Sequence, residues 1–243
     1  MDHLQTKVER FWRIFYQYKG YSRVVTGLKN TLVIAISGLT VGILIGTLVA
    51  AVEVSPQKKR SVRFLDRLAR FYVALFRGTP IVVQLLVTYY VVFPLLSLNF
   101  SPLSVCVLVF GLNSGAYVSE IMRSGIQAVD PGQMEAGRAV GLSYRKTMWE
   151  IIVPQAIKNI LPTLGNEFIA LIKETSVVSF VGALDLYVAF NFIGTNNYEF
   201  MVPYLVMALI YIVLVMAVTG LIRLMERSLR KSDRSNQAGE RLR

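Results

Sequence analysis

The sequence predicts an all-α integral membrane protein with five transmembrane helices, an amphipathic N-terminal helix and a short cytoplasmic helix between two spans. Residues 31–52, 78–119 and 200–222 hold no Asp, Glu, Lys or Arg. Those 87 positions would carry about fifteen charges at the chain average of 17%. Runs of such length suit a bilayer, because roughly 20 apolar residues in a helix cross the hydrocarbon. Lys and Arg gather instead in a few connections and at the termini. A soluble enzyme is therefore excluded as a first reading. The lone Cys106 and the lone His3 leave no intrachain disulfide and no thiolate or imidazole cluster for metal or triad chemistry.

Within residues 1–23, Leu4, Val8, Phe11, Phe15 and Tyr18 fall at helical spacing against Lys7, Arg10, Arg13 and Gln17. That pattern describes a helix lying in the headgroup plane. A cleavable signal peptide is not expected, since the first long apolar run begins only at Thr31 and exceeds signal-peptide length. In the first span, Thr31 to Val52, the residues Gly38, Gly42, Gly46 and Ala50 recur every four positions and form a smooth face for close helix packing. Pro94, Asn99 and Pro102 divide the 42-residue run into two spans joined by a tight hairpin, with Tyr89, Tyr90 and Phe93 at an interface belt. Residues 151–162 read as an interfacial lead-in helix bent near Pro154 and Pro162, followed by a fourth span from about Thr163 to Leu184. The fifth span is Phe200 to Ile222. The tail after Arg230 is polar enough to be disordered.

Five spans place the termini on opposite sides. The 53–70 connection holds six Lys and Arg, the 120–150 connection four and the tail from Arg223 seven, whereas 96–102 and 185–199 hold none. The positive-inside rule sends these seventeen to the cytoplasm, with the C-terminus inside and the N-terminus outside, against six basic residues in positions 1–30. In this orientation Asp185, Asn196, Asn197, Tyr198 and Glu199 form an outer solvated loop. Basic loops beside anionic lipid account for the net +11 charge with no nucleic-acid partner.

In the 120–150 connection, Asp130, Pro131 and Gln133 have the chemistry of a helix start, with Gln133 able to reach back in a capping box. A helix is expected from Pro131 to about Val140, ended by Gly141 in a left-handed conformation. Taken alone, these features also describe an ordinary connecting helix.

The run Glu135 to Pro154 (EAGRAVGLSYRKTMWEIIVP) resembles the loop signature of membrane subunits of ABC importers, with Glu135, Ala136, Gly141, Ile151 and Pro154 at the matching intervals. Gly137 and Val153 stand where that pattern has Ala and Leu. Phe76-Arg77-Gly78-Thr79-Pro80, Ser114-Gly115-Ala116-Tyr117 with Glu120, Asn166-Glu167-Phe168 and Lys173-Glu174-Thr175-Ser176 are similar to the polar amino acid permeases of that superfamily (the histidine, glutamine and arginine permease family). The resemblance covers roughly residues 24–225 and leaves 226–243 as a polar cytoplasmic tail. It implies a type I importer permease core in a bacterial or archaeal cytoplasmic membrane. It also implies a second permease copy or a related permease, a dimer of ATP-binding subunits and an extracytoplasmic amino-acid-binding protein. ATP and Mg would then be bound by the partner ATPase, with no cofactor on this chain and no enzyme activity of its own. The 130–154 loop would couple to that ATPase through Glu135, Ala136 and Gly141. Arg145-Lys146-Thr147 lacks the glycine that a phosphate-binding loop needs.

Ionisable groups inside a membrane cost on the order of 3 kcal/mol each at mid-helix, so Glu167, Lys173 and Glu174 need partners or water. Seven residues return a helix to nearly the same angle, which puts Glu167 and Glu174 on one candidate pathway face. Asn113 and Ser114 are further candidates to bind an amino acid. Two roles stay open for this set, ligand contact and interhelical bonding. A secondary transporter or channel working without ATP, and a membrane scaffold without cargo, are the competing classes.

Overall fold

The computed structural model describes residues 2–55 and 60–240, and every regular element among them is helical. The helices are α1 (Asp2–Gln17), α2 (Gly20–Val54), α3 (Arg60–Gly78), α4 (Ile81–Leu95), α5 (Pro102–Gln127), α6 (Pro131–Ala139), α7 (Val153–Glu174), α8 (Leu186–Asn197) and α9 (Met201–Glu240). Three of them, α2, α5 and the Met201–Arg227 part of α9, are long and apolar enough to cross a membrane alone. Two bent pairs raise the number to five if each is one span: α3 with α4 at 105°, and the Tyr144–Val181 stretch containing α7 with α8 at 55°.

The small-residue face of α2 lies directly on α5. A β-carbon on Gly38 would meet Phe110, one on Gly42 would meet Ser114, and one on Gly46 would meet Val118 and the Ser119 amide. With no side chains between them the two backbones come close, and dispersion contacts replace the hydrophobic driving force that lipid does not supply. Around this seam Ile34, Leu85, Phe110, Leu171 and Ile172 form a buried core.

Four expectations from sequence are corrected. The basic 53–70 stretch is helical from Arg60 onward. Phe64, Leu68, Phe71 and Leu75 repeat at three to four residues along one arc beside Arg63, Arg67 and Arg70, a helical period that counting charges alone overlooks. Lys58 and Lys59 of that stretch, and residues 241–243 of the tail, lie outside the described residues. The 185–199 segment is not a solvated loop. It forms α8, whose Leu186, Ala189, Phe190 and Ile193 are buried. Asp185 is fully buried and caps α8 by accepting from the Val188 amide at 2.8 Å. Residues 151–162 do not form a separate lead-in helix. A π turn, Met148–Ile152, leads into α7, which runs unbroken through Pro162. Finally, the polar tail after Arg230 is not irregular up to Glu240, because α9 continues beyond its apolar span as helix to that residue.

The N-terminal helix is more than a headgroup-plane element. Phe11 and Ile14 are buried against Val24, Phe190 and Ile193, and Lys7 pairs with Glu199 at 3.2 Å. Helix α1 therefore sits at the Gly20 end of α2. At the other end the Tyr144 hydroxyl donates to the Val54 carbonyl at 3.3 Å, which ties the α6–α7 connection there. The 35 residues of α2 separate these two ends by about 50 Å.

Candidate functional site

Helix α6 is built by local capping chemistry. The Asp130 carboxylate accepts from the Gly132 amide at 2.8 Å, and Pro131 occupies the first turn, where no amide proton is needed. Gln133 does not complete a capping box; its side-chain oxygen instead accepts from Gln155 at 3.5 Å. At the far end the Leu142 amide donates to Gly137 and the Gly141 amide to Arg138, both at 3.1 Å, with Gly141 at φ 86°. This paired closure satisfies carbonyls that the last turn would leave open, and it requires a residue without the left-handed penalty at position 141.

One side of α6 is anchored and the other is free. Gly137 is buried so tightly that a β-carbon there would fall 2.5 Å from Thr147 Cγ2 and 3.2 Å from Ile151 Cδ1. Glu135, Ala136 and Gly141 are exposed, together with Val140 at 77%. The arm thus presents a small, flat surface bearing one carboxylate, braced from behind by the turn that begins α7. Gly137, one of the two positions that depart from the resembled signature, is the bracing point. Its only signal in the sequence is a glycine in a helix interior, where glycine costs helix stability and needs a packing reason.

The candidate pathway residues separate into two groups. Ser114 Oγ donates to Glu167 Oε1 at 2.9 Å, directly across from Gly42, so α2, α5 and α7 meet at this bond. Glu167 is half-buried, and no hydrogen bond engages Oε2 among the described residues. Glu174 lies two turns further along the same face, roughly 10 Å away, and is exposed at the end of α7.

Asn113 is not gathered with them. Its amide donates to Gln84 Oε1 at 3.0 Å and to the Phe76 carbonyl at 3.3 Å. Gln84 in turn donates to the Phe76 carbonyl at 2.8 Å and to the Thr79 carbonyl at 3.0 Å. These amides satisfy the carbonyls that the sharp α3–α4 bend exposes, a need that is acute in hydrocarbon. The sequence reading missed Gln84, whose one signal is a lone amide in the apolar run IVVQLLV after Pro80. It also missed Arg77, which reaches from α3 to Glu120 on α5 at 3.5 Å and sits 5.4 Å from the Tyr117 ring centroid. Arg123 completes that cluster at 2.7 Å from Glu120.

A cavity of about 710 Å³ opens near the arm between α2, α5 and α7, lined by Ala50, Met122, Trp149, Ile157 and Ile160. Its walls are mainly apolar and offer a zwitterion few partners, whereas the Ser114–Glu167 pair offers a carboxylate.

Comparison with known proteins agrees with this geometry. Residues 38–231 match the family described as binding-protein-dependent transport system inner membrane component. A protein of Rickettsia bellii provisionally named as a glutamine transport system permease is 39% identical over 206 residues, covering 85% of this chain and 92% of the relative. The arginine transport system permease protein of Bacillus subtilis is 37% identical over 86% of this chain and 94% of its own length. A crystal structure of an amino acid ABC transporter with histidines superposes with a TM-score of 0.80 at 38% identity, covering 88% of this chain and 98% of the other. With most of its length matched at that identity, the chain belongs to the family of binding-protein-dependent transport system inner membrane components, the permease subunits of ATP-driven importers.

Proposed function

We propose that this chain passes polar amino acids across the cytoplasmic membrane, driven by ATP hydrolysis on a separate pair of subunits seated on α6. The observation that carries the reading is mechanical continuity. The exposed Glu135–Ala136 surface is braced through Gly137 onto the turn that becomes α7, and α7 carries Glu167. Fourteen residues of helix, roughly 21 Å, separate Val153 from Glu167, so a push on the arm moves the pathway carboxylate as a rigid body.

The arm lies in the cytoplasm, supported by the basic residues of α3 and of the α6 connection, and α1 then lies on the outer side. Ser114 and Glu167 contact the amino acid, with Glu167 Oε2 accepting from its ammonium group. Glu174 extends the pathway. Asn113 shapes the pathway wall by holding the α3–α4 bend. A second permease chain closes the path across the Glu167–Glu174 face, and an extracytoplasmic binding protein delivers the substrate. The names of the relatives support glutamine-like or arginine-like cargo.

The test is assembly of the complex with Gly141→Asp and, separately, Glu135→Ala. An aspartate at φ 86° costs about 1–2 kcal/mol in backbone strain and adds a charge to the seating surface. The expected result is loss of ATPase copurification and of ATP-driven uptake with the permease still folded. Unaltered uptake by both variants rejects the coupling role and favours a carrier that works without ATP.

A further inference from the structure

The outer end of the bundle carries a polar cleft of about 500 Å³ between α1 and the α8–α9 turn, lined by Thr6, Glu9, Arg10, Arg13, Asn196 and Tyr198. Helix α1 has three sectors. Phe11 and Ile14 face the protein core, Trp12 and Tyr16 stack on one another at 5.2 Å on an exposed aromatic side, and Arg10 and Arg13 face the cleft. The Lys7–Glu199 pair and the buried Phe11 and Ile14 hold α1 in place, so the arginines stand on a fixed support. Across the cleft Tyr198 is 92% exposed on a left-handed residue, φ 50°, at the end of α8. Such a conformation costs a non-glycine residue about a kcal/mol or more, and here it holds a large aromatic side chain away from all packing.

We infer that this cleft docks an acidic surface of the extracytoplasmic binding protein, with Arg10 and Arg13 pairing carboxylates and Tyr198 as the aromatic anchor. The inference rests on the importer reading and on the outer placement of α1. Arg10 and Arg13 both line the cleft, arginine suits bidentate carboxylate recognition, and tyrosine and arginine in one site are the usual composition of a binding hot spot. A lipid phosphate is the competing occupant. Glu9 in the cleft wall opposes a phosphate, whereas a protein surface of mixed charge can pair with it. The mainly polar walls also offer no seat for an acyl chain. Lipid contact falls instead to the Trp12–Tyr16 side.

The experiment uses the full complex of permease and ATPase in nanodiscs of zwitterionic lipid, with substrate-loaded binding protein as the titrant. The readout is the binding-protein concentration that half-maximally stimulates ATP hydrolysis, for the parent, Arg10→Glu/Arg13→Glu and Arg10→Lys/Arg13→Lys. The charge-reversed variant is expected to need about tenfold more binding protein, with basal hydrolysis and complex assembly unchanged, and the lysine variant to fall between it and the parent, because an ammonium keeps the charge but loses the bidentate fork. Raising salt to 0.5 M should weaken the parent's interaction and shrink the difference, because these side chains are exposed. An unshifted half-maximum in the charge-reversed variant, or a salt-insensitive parent, overturns the docking site. A shift that appears only with anionic lipid in the nanodisc also overturns it and assigns the cleft to headgroups. A parent complex that the binding protein fails to stimulate at all overturns the importer reading itself, a failure distinct from the others.

Discussion

Replacing Gly42 with alanine sets a methyl group 2.7 Å from Ser114 Oγ and 2.8 Å from Ser114 Cβ, at the point where α2, α5 and α7 meet. Ordinary contact begins at 3.4 Å, so α5 must retreat by about 0.7 Å or Ser114 must turn away. Either response strains the 2.9 Å bond from Ser114 to Glu167, and a retreat along that line stretches it to about 3.6 Å, past hydrogen-bonding distance. Overpacking of this kind costs about 1–3 kcal/mol, and a hydrogen bond to a charged group contributes about 1.5–3 kcal/mol. Because relief of one deepens the other, a combined loss of about 2 kcal/mol is expected, equal to a melting temperature lower by roughly 4–8 °C. The assay is thermal unfolding of the purified complex together with the half-saturation constant for amino acid uptake. Gly220→Ala on α9 is the control, since a β-carbon there meets nothing within 4 Å. That variant should match or exceed the parent, because alanine is the better helix former. If Gly42→Ala melts with the parent and keeps its uptake constant, the α2–α5 seam does not position Glu167 and the reasoning fails.

Two further outcomes separate competing accounts of individual side chains. Glu167→Gln preserves an acceptor for Ser114 but removes the charge, so a ligand role predicts parent-like melting with half-saturation raised about tenfold and substrate-stimulated hydrolysis lost, while unchanged transport identifies Glu167 as a helix tie. At the α1 end of the bundle, burial pushes the Glu199 carboxyl up, but Lys7 and the Val202 and Met201 amides outweigh it and hold the group below its ordinary range. A lowered folded value means that the stabilisation is present above the unfolded pKa, near 4.3, and is lost as pH falls through the folded one. Acidification through the folded value should therefore loosen the α1 contact, seen as a change in Trp12 emission in a Trp149→Phe background, and Glu199→Gln should remove that step; a step that persists in the variant assigns the change to another group.

Much of the fold was legible because its signals are local in sequence. A glycine every fourth residue marks a helix face whatever packs there, and Asp130, Pro131 and Gly141 start and stop α6 with bonds that span only a few residues. The α3 helix and α8 were less visible for opposite reasons. In α3 the arginines masked an apolar period; in α8 the short run LYVAFNFIG, broken by Asn191, sat between Asp185 and Thr195-Asn196-Asn197, flanks that compose like a loop. Asp185 reads as an exposed acid in sequence, yet it is buried, with Oδ1 accepting from the Val188 amide and Oδ2 without a hydrogen bond among the described residues, and Gly27 of α2 packs against its backbone.

By itself, then, the chain's order of residues determined the all-helical membrane class, where the small-residue seam runs and which segment projects as a capped arm, since uncharged length, periodicity and capping depend on near neighbours. Only the tertiary structure decided what the polar residues do. Asn113 and Ser114 are adjacent and were read alike, but successive side chains on a helix diverge by about 100°. One therefore turns to Gln84 and secures a bend, and the other turns to Glu167, 53 positions away, and ties α5 to α7. No local pattern carries that distinction, because it depends on which helix lies on each side of α5.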